Sequence, residues 1–370
     1  MKFIIDDKIP YIKGVLEPYA EVVYLPGGNI SKQNVQDADG LILRTRTLCN
    51  AALLEGSRIR FIATATIGYD HIDTAFCQKQ GIAWTNAAGC NARSVAQYIA
   101  SAIFTLSLKY KFDLKSKTIG IVGVGNVGKQ VAALAETLGM KLLLNDPPRE
   151  EKEGKNNFVS LEQIKEEADI ITFHTPLTKD GKYSTFHLVN NFFLFGLNKK
   201  PFIINSARGE IIDTTALKDA ITNGKLSGTV IDCWENEPEI DLALLAKVDI
   251  GTPHIASYSA DGKANATTMS VQAVSRFFHL GLNNWKVGSL PAPQSPLIRM
   301  EKEDIPKAIL YSYDILQDDA RLRSNPALFE ELRGNYPFRR EYGAYKIEGY
   351  CSEMLCKLGF NCLEPRLIQD

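Results

Sequence analysis

Residues 117–128 read KTIGIVGVGNVG, and the fold is decided here. Thr118–Val122 is a short apolar, β-branched run of the kind that forms a buried strand. Gly123, Gly125 and Gly128 follow as GxGxxG, with Asn126 and Val127 between the last two. The glycines permit a tight turn and let backbone N–H groups approach a pyrophosphate. A helix beginning near Asn126 directs its positive end at the same charge. The pattern alone is weak, and a glycine turn without a ligand is its bland reading. Here the context is complete, because Asp146 ends the next apolar run, LLLND, 18 residues after Gly128. A carboxylate there accepts from both ribose hydroxyls and repels a 2′-phosphate, which predicts NAD over NADP. Arg149 is the one residue nearby that could favour the 2′-phosphate.

Outward from this loop the chain alternates strand and helix. Downstream come IITFHTP, PFIINSARGE, GTVIDCWENEP and VDIGTPHIAS, each an apolar run ending in polar residues. Upstream, KFIID, VVYLPGG, GLILRTRT, IRFIATAT and IAWTN read the same way. Strands alternating with helices imply parallel sheets covered on both faces. Between the halves, residues 92–108 have helical apolar spacing and no Gly or Pro. The far face of that helix is also apolar, so it is expected to be buried on both sides. The three prolines of VGSLPAPQSPLIRM predict a linker. A smaller unit follows, with helices expected near 305–316, 327–333 and in CSEMLCKLGF, and a strand in AYKIEGY.

Length and charge narrow the function classes. A chain of 370 residues exceeds one simple core. A formal net charge of −1 gives nothing that globally attracts nucleic acid or a membrane surface. No stretch approaches the ~20 apolar residues of a membrane span, and the apolar run Phe3–Ile5 is too short for a signal peptide. The seven cysteines are scattered without a CxxC pair. Cys351, Cys356 and Cys362 lack a neighbouring histidine, so no metal is expected. Reduced thiols and a cytoplasmic location are.

Three strand ends supply Arg208, Glu237 and His254. Each alone reads as a surface charge, a loop acid or a packed imidazole. Behind a dinucleotide loop they make a set. An arginine fork holds a carboxylate, a histidine takes a hydroxyl proton as hydride leaves the same carbon, and a glutamate orients the imidazole and supports its protonated form. Arg44, Thr45 and Arg46 follow the strand GLIL and offer charge-assisted donors to a phosphate. The bland alternative is a solvated basic loop.

GVGNVG, NSARGE, DCWENEPE and TPHIAS resemble the signatures of the D-isomer-specific 2-hydroxyacid dehydrogenases, over about residues 1–285. The resemblance implies an α/β chain with two Rossmann-like doubly wound parallel-sheet domains and an active site in the cleft between them. It makes residues 1–93 with 257–285 a discontinuous substrate domain and 94–256 the NAD domain. It implies an Arg208–Glu237–His254 catalytic set. Thr175, Ala207, Asp232 and Ser257 match cofactor-lining positions. TATIGYDHID, FHTPLTKDGKY, HIASYSADGKA and the tail LCKLGFN match a branch acting on a small phosphorylated hydroxy acid, in which Thr66 and Tyr258 contact substrate. In that branch residues 286–370 would be a small α+β domain that makes a homodimer. Thr45 stands where a serine is expected, Ser257 for a glycine and Gln97 for a glutamate; Arg93 is an added charge. Two rivals stay open: a relative acting on 3-phosphoglycerate or an unphosphorylated acid, and a non-catalytic NAD-sensing protein.

Overall fold

The computed structural model describes residues 1–154 and 157–362. Two compact units form, one from residues 1–91 with 259–291, the other from residues 92–258 with the chain from Ala292 onward.

The first unit is a five-stranded parallel sheet of β1 (Lys2–Asp6), β2 (Glu21–Leu25), β3 (Gly40–Leu43), β4 (Phe61–Thr64) and β5 (Ala83–Asn86), in the order β2-β1-β3-β4-β5. β3 and β4 are buried throughout. This is why GLIL and FIAT read as unbroken apolar runs rather than alternating ones. The strand order reverses between β1 and β3, and ligands of open α/β sheets bind at such a reversal. The turn after β3, which carries Arg44–Thr47, lies there. Thr47 Oγ1 fixes it by donating to Gly27 O at 2.8 Å. The helix Ala260–Phe278 belongs to this unit, with Ser259 Oγ capping it through Gly262 N at 2.8 Å. It packs by ring contacts, Phe277 stacked on Phe61 at 4.7 Å and Phe278 edge-on to Phe3 at 5.1 Å.

The second unit holds a six-stranded parallel sheet of β6 (Thr118–Val122), β7 (Lys141–Asn145), β8 (Ile170–Phe173), β9 (Phe202–Asn205), β10 (Gly228–Ile231) and β11 (Ile250–Gly251), ordered β11-β10-β9-β8-β6-β7. Its reversal lies between β6 and β8. The helix Asn126–Thr137 follows β6 directly. The helix Ala92–Tyr110 is buried at every residue from Ser94 to Leu106, as its two apolar faces require. One face meets the helix Asn126–Thr137; the other meets the helices Ile305–Ser312 and Ile315–Ser324. Gln97 donates to Arg340 O at 3.0 Å, and Ser101 Oγ to Tyr313 O at 2.8 Å.

The rest of the C-terminal segment adds a small parallel sheet of β12 (Leu297–Met300), β13 (Lys346–Gly349) and β14 (Asn361–Cys362), with β13 central. Three expectations are corrected here. The proline-rich linker ends in a strand, since Leu297–Met300 pairs with Lys346–Gly349. The single helix expected near 305–316 breaks at Tyr313–Asp314, where Asp314 Oδ1 accepts Leu316 N and starts a second helix to Ser324. Cys351 and Cys362 are not reduced but disulfide-bonded, their Cα atoms 6.0 Å apart.

Ile298, Ile305, Ile309, Tyr313 and Ile347 share one apolar core with Ile99, Ile103 and Leu106. Removal of the chain after Pro291 therefore uncovers a full face of the Ala92–Tyr110 helix. The truncated protein is expected to lose its cooperative thermal transition or to aggregate, as followed by circular dichroism and light scattering. A truncated monomer melting like the full chain would show that the shared core contributes little.

Candidate active site

The glycine loop sits at the β6/β8 reversal. Gly123 has φ +88°, and a Cβ there would stand 2.7 Å from the His174 carbonyl carbon and 2.8 Å from the Thr175 methyl. A Cβ on Gly128 would meet Gly123 O at 2.1 Å. Both positions exclude a side chain, so the helix can start close against the turn. Gly125 has no atom of the described residues within 4 Å of its would-be Cβ. The helix that opens with Asn126, Val127 and Gly128 has no side-chain cap. Thr175 Oγ1 and Ser206 Oγ are buried without a hydrogen-bond partner among the described residues. An open glycine turn, an uncapped helix start and orphaned hydroxyls are what a dinucleotide would satisfy.

Asp146 closes the loop: Oδ2 accepts Val124 N at 2.8 Å and Oδ1 accepts Arg149 N at 3.1 Å. Arg149 is already engaged. Its guanidinium donates to both Glu153 carboxylate oxygens, at 2.7 and 2.5 Å, and lies over the Phe158 ring. That removes the strongest argument for a 2′-phosphate.

The three expected catalytic residues come together at the carboxyl ends of β9, β10 and β11. Gly209 makes the crossing possible, since a Cβ there would stand 1.9 Å from Trp234 O. Arg208 beside it donates from Nη1 to Ala207 O at 2.8 Å. Glu237 Oε1 accepts Trp234 N at 2.9 Å, and Oε2 accepts from His254 Nδ1 at 2.7 Å. Burial pushes the Glu237 carboxyl up. The His254 bond and charge, Trp234 N–H and the Arg333 charge more than offset this, and its pKa is lowered. Cys233 Sγ is also near the pair, but burial, with Asp232 and Glu237 beside it, pushes that thiol well above its usual range. It stays neutral, a poor metal ligand.

Asp232, at the end of β10, is 1 % exposed. It accepts from Thr252 Oγ1 at 2.7 Å, Ile255 N at 2.8 Å and Ala256 N at 3.0 Å. His254 lies inside this set, with φ +54°. Tyr98 Oη meets Thr252 Oγ1 at 2.8 Å, extending the network into the helix Ala92–Tyr110. Ala207 is buried and Ser257 half-buried in the same region of the unit. Tyr258 packs edge-on against Tyr336 at 5.7 Å.

In the first unit, Arg44 is half-buried and Thr45 and Arg46 are exposed after β3. Thr66 follows the adjacent β4 and donates to Gly68 O at 2.9 Å. These expected substrate residues thus share one sheet edge. His71 and His174 each bond a threonine, and burial pushes His174 down to about 3. Sequence reasoning passed over Tyr98, Thr252 and Arg333. Tyr98 reads as one more apolar helix position, and nothing local to Arg333 marks it.

Residues 92–256 match the NAD binding domain of the D-isomer specific 2-hydroxyacid dehydrogenases, which sets the class as an NAD-dependent dehydrogenase. Residues 292–359 match a family described only as a domain of unknown function. The chain is 57 % identical over 350 residues to the erythronate-4-phosphate dehydrogenase of Bacteroides thetaiotaomicron, covering 94 % of this chain and 99 % of that one. It is 40 % identical to the Shigella flexneri enzyme of the same name, covering 98 % and 99 %. Among solved structures, NAD⁺-bound 3-phosphoglycerate dehydrogenase of Entamoeba histolytica matches with TM-score 0.64 at 28 % identity, over 79 % of this chain and 99 % of that one. D-lactate dehydrogenase of Aquifex aeolicus shares the fold with TM-score 0.63 at 24 % identity, over 78 % and 100 %. The chain belongs to the D-isomer-specific 2-hydroxyacid dehydrogenases and, within them, to the erythronate-4-phosphate dehydrogenase family.

Asp232→Ala is expected to leave three donors without an acceptor and to cost about 3–5 kcal/mol. Asp232→Asn, which keeps one oxygen, should cost less. Denaturant unfolding of both variants measures this; equal stability of Ala and wild type would remove Asp232 from its role.

Proposed function

We propose that this chain oxidises 4-phospho-D-erythronate to (R)-3-hydroxy-2-oxo-4-phosphooxybutanoate, a step of pyridoxal 5′-phosphate (vitamin B6) biosynthesis. The observation that carries the reading is the 2.7 Å bond from His254 Nδ1 to Glu237 Oε2. Bound NAD supplies the hydride acceptor. With Nδ1 committed to Glu237, Nε2 of His254 is the atom that takes the C2 hydroxyl proton. Glu237, held ionised, balances the imidazolium that results. Arg208 holds the substrate carboxylate with its fork, and Arg44, Thr45 and Arg46 hold the phosphate. Thr66 and Tyr258 contact the same substrate. Gly123, Gly125, Asn126, Val127 and Gly128 take the pyrophosphate and Asp146 the ribose. Thr175, Ala207, Asp232 and Ser257 line the nicotinamide end.

The names of the relatives support a phosphorylated four-carbon substrate. The β1/β3 reversal, which puts two arginines at one sheet edge, supports it independently. Residues 1–93 with 257–285 act as the substrate domain, 94–256 as the NAD domain and 286–370 as the segment that pairs two chains. The enzyme works in the cytoplasm. No helix of the described residues is long and apolar enough to cross a membrane.

His254→Asn is expected to leave NAD binding near normal while turnover falls by about 10²–10⁴-fold. NADH absorbance and NAD titration read the two effects; near-normal turnover would sink the mechanism. Arg44→Ala should raise KM for 4-phosphoerythronate by about ten- to hundredfold. It should do little to the slow oxidation of an unphosphorylated 2-hydroxy acid. An equal loss on both substrates would place Arg44 elsewhere than on the phosphate.

A further inference from the structure

Residues 292–359 match a family with no described function, yet this segment reaches the catalytic pair. Arg333 is on the short helix Phe329–Gly334. Its Nη1 lies 4.0 Å from Glu237 Oε2, the oxygen that also accepts from His254 Nδ1. The same Nη1 donates to Glu330 Oε1 at 2.6 Å, and the guanidinium rests over the Phe329 ring at 5.9 Å. Its Nε is buried without a hydrogen-bond partner among the described residues. The Tyr258 phenol is among the groups close to Arg333. A half-buried guanidinium whose buried Nε has no partner among the described residues is costly beside a carboxylate unless the carboxylate needs it.

We infer that Arg333 is a positioning residue of the Glu237–His254 pair, a contribution of the C-terminal segment to the active site. This rests on the reading of His254 as the base. Glu237 Oε2 accepts from the imidazole at 2.7 Å and faces the guanidinium charge across 4.0 Å, so the carboxylate is drawn from two directions. That fixes the plane of the carboxylate and through it the ring of His254. The cation also stabilises the ionised glutamate and disfavours a second positive charge on the imidazole. It therefore sets how readily the pair gives up its proton. The other charged or titratable groups facing it are Asp232 and Cys233 after β10, Arg208 after β9, Tyr258, and Glu330 across Arg333.

The test uses the full-length enzyme with NAD and 4-phosphoerythronate. Arg333→Gln removes the cation and keeps most of the stem. Without the cation the pair holds its proton to higher pH, so the acid limb of the kcat/KM profile should rise by about one unit. kcat should fall by about ten- to hundredfold through misplacement of the base, with KM changed by less than about threefold. Arg333→Lys should return the acid limb to its wild-type position. In a Glu237→Gln background, Arg333→Gln should add almost nothing, because the partner through which it acts is gone. A wild-type acid limb in Arg333→Gln would overturn the inference. So would a limb that moves equally in the Lys variant, a loss fully additive with Glu237→Gln, or a Gln variant that does not fold, which would make Arg333 a core residue only. His254→Asn in the same panel separates the two levels of argument. If that variant keeps its turnover, the proposed function fails; if it is inactive while Arg333→Gln keeps the wild-type profile, only the role of Arg333 fails.

Discussion

Asp232 has almost no access to solvent, yet three donors from the turn after β11 converge on its two oxygens. Its carboxyl is pushed up by burial and pulled down by His254, Thr252 and the two backbone N–H groups, and burial wins. The turn needs this anchor. His254 sits at φ +54°, a left-handed conformation that costs a non-glycine residue on the order of 1 kcal/mol or more. The strain persists because its neighbours on both sides are tied to one acceptor. His254 N itself donates to Asp232 O at 2.8 Å. Backbone and side chain of one residue just after β10 thus aim the imidazole at Glu237, five residues further along the same loop. Tyr98, bonded to Thr252, carries the restraint into a helix buried from Ser94 to Leu106.

Much of this was legible before any coordinates. The parallel sheets follow from unbroken apolar runs, and each of the eleven strands of the two larger sheets lies in a segment read as a strand. Arg208, Glu237 and His254 were legible because strand ends in a parallel fold are where polar side chains serve ligands. The buried helix Ala92–Tyr110 was legible from having apolar residues on both faces.

What failed to show has a common physical cause. The strand Leu297–Met300 is hidden by the prolines before it, which mark a turn but say nothing of pairing with a strand some fifty residues later. The break at Tyr313–Asp314 is a capping event inside a continuous apolar pattern, so periodicity passes over it. The disulfide depends on β13, a helix and β14 bringing two cysteines within bonding reach. Arg333 is set against Glu237 by folding alone, across 96 residues of sequence. Apart from that local cap, each is a long-range consequence of packing, where local propensity carries no information.

The same reasoning explains why the two larger sheets place their functional loops so similarly. In each, the strand order reverses once, between β1 and β3 in the first and between β6 and β8 in the second. At a reversal the helices on either side diverge to opposite faces, and the loops above the sheet part to leave a crevice. The first sheet fills the rim of its crevice with Arg44 and Arg46, suited to a compact anion. The second lines its crevice with glycines and an uncapped helix start, suited to a pyrophosphate that must approach the backbone. Arg208, Glu237 and His254 are not at the reversal but further along the second sheet, in the loops after β9, β10 and β11. Successive parallel strands step residues of distant sequence along one edge, each about 4.8 Å from the next. An arginine, a glutamate and a histidine from three loops are thereby brought to one end of the sheet, while the reversal carries the glycine turn.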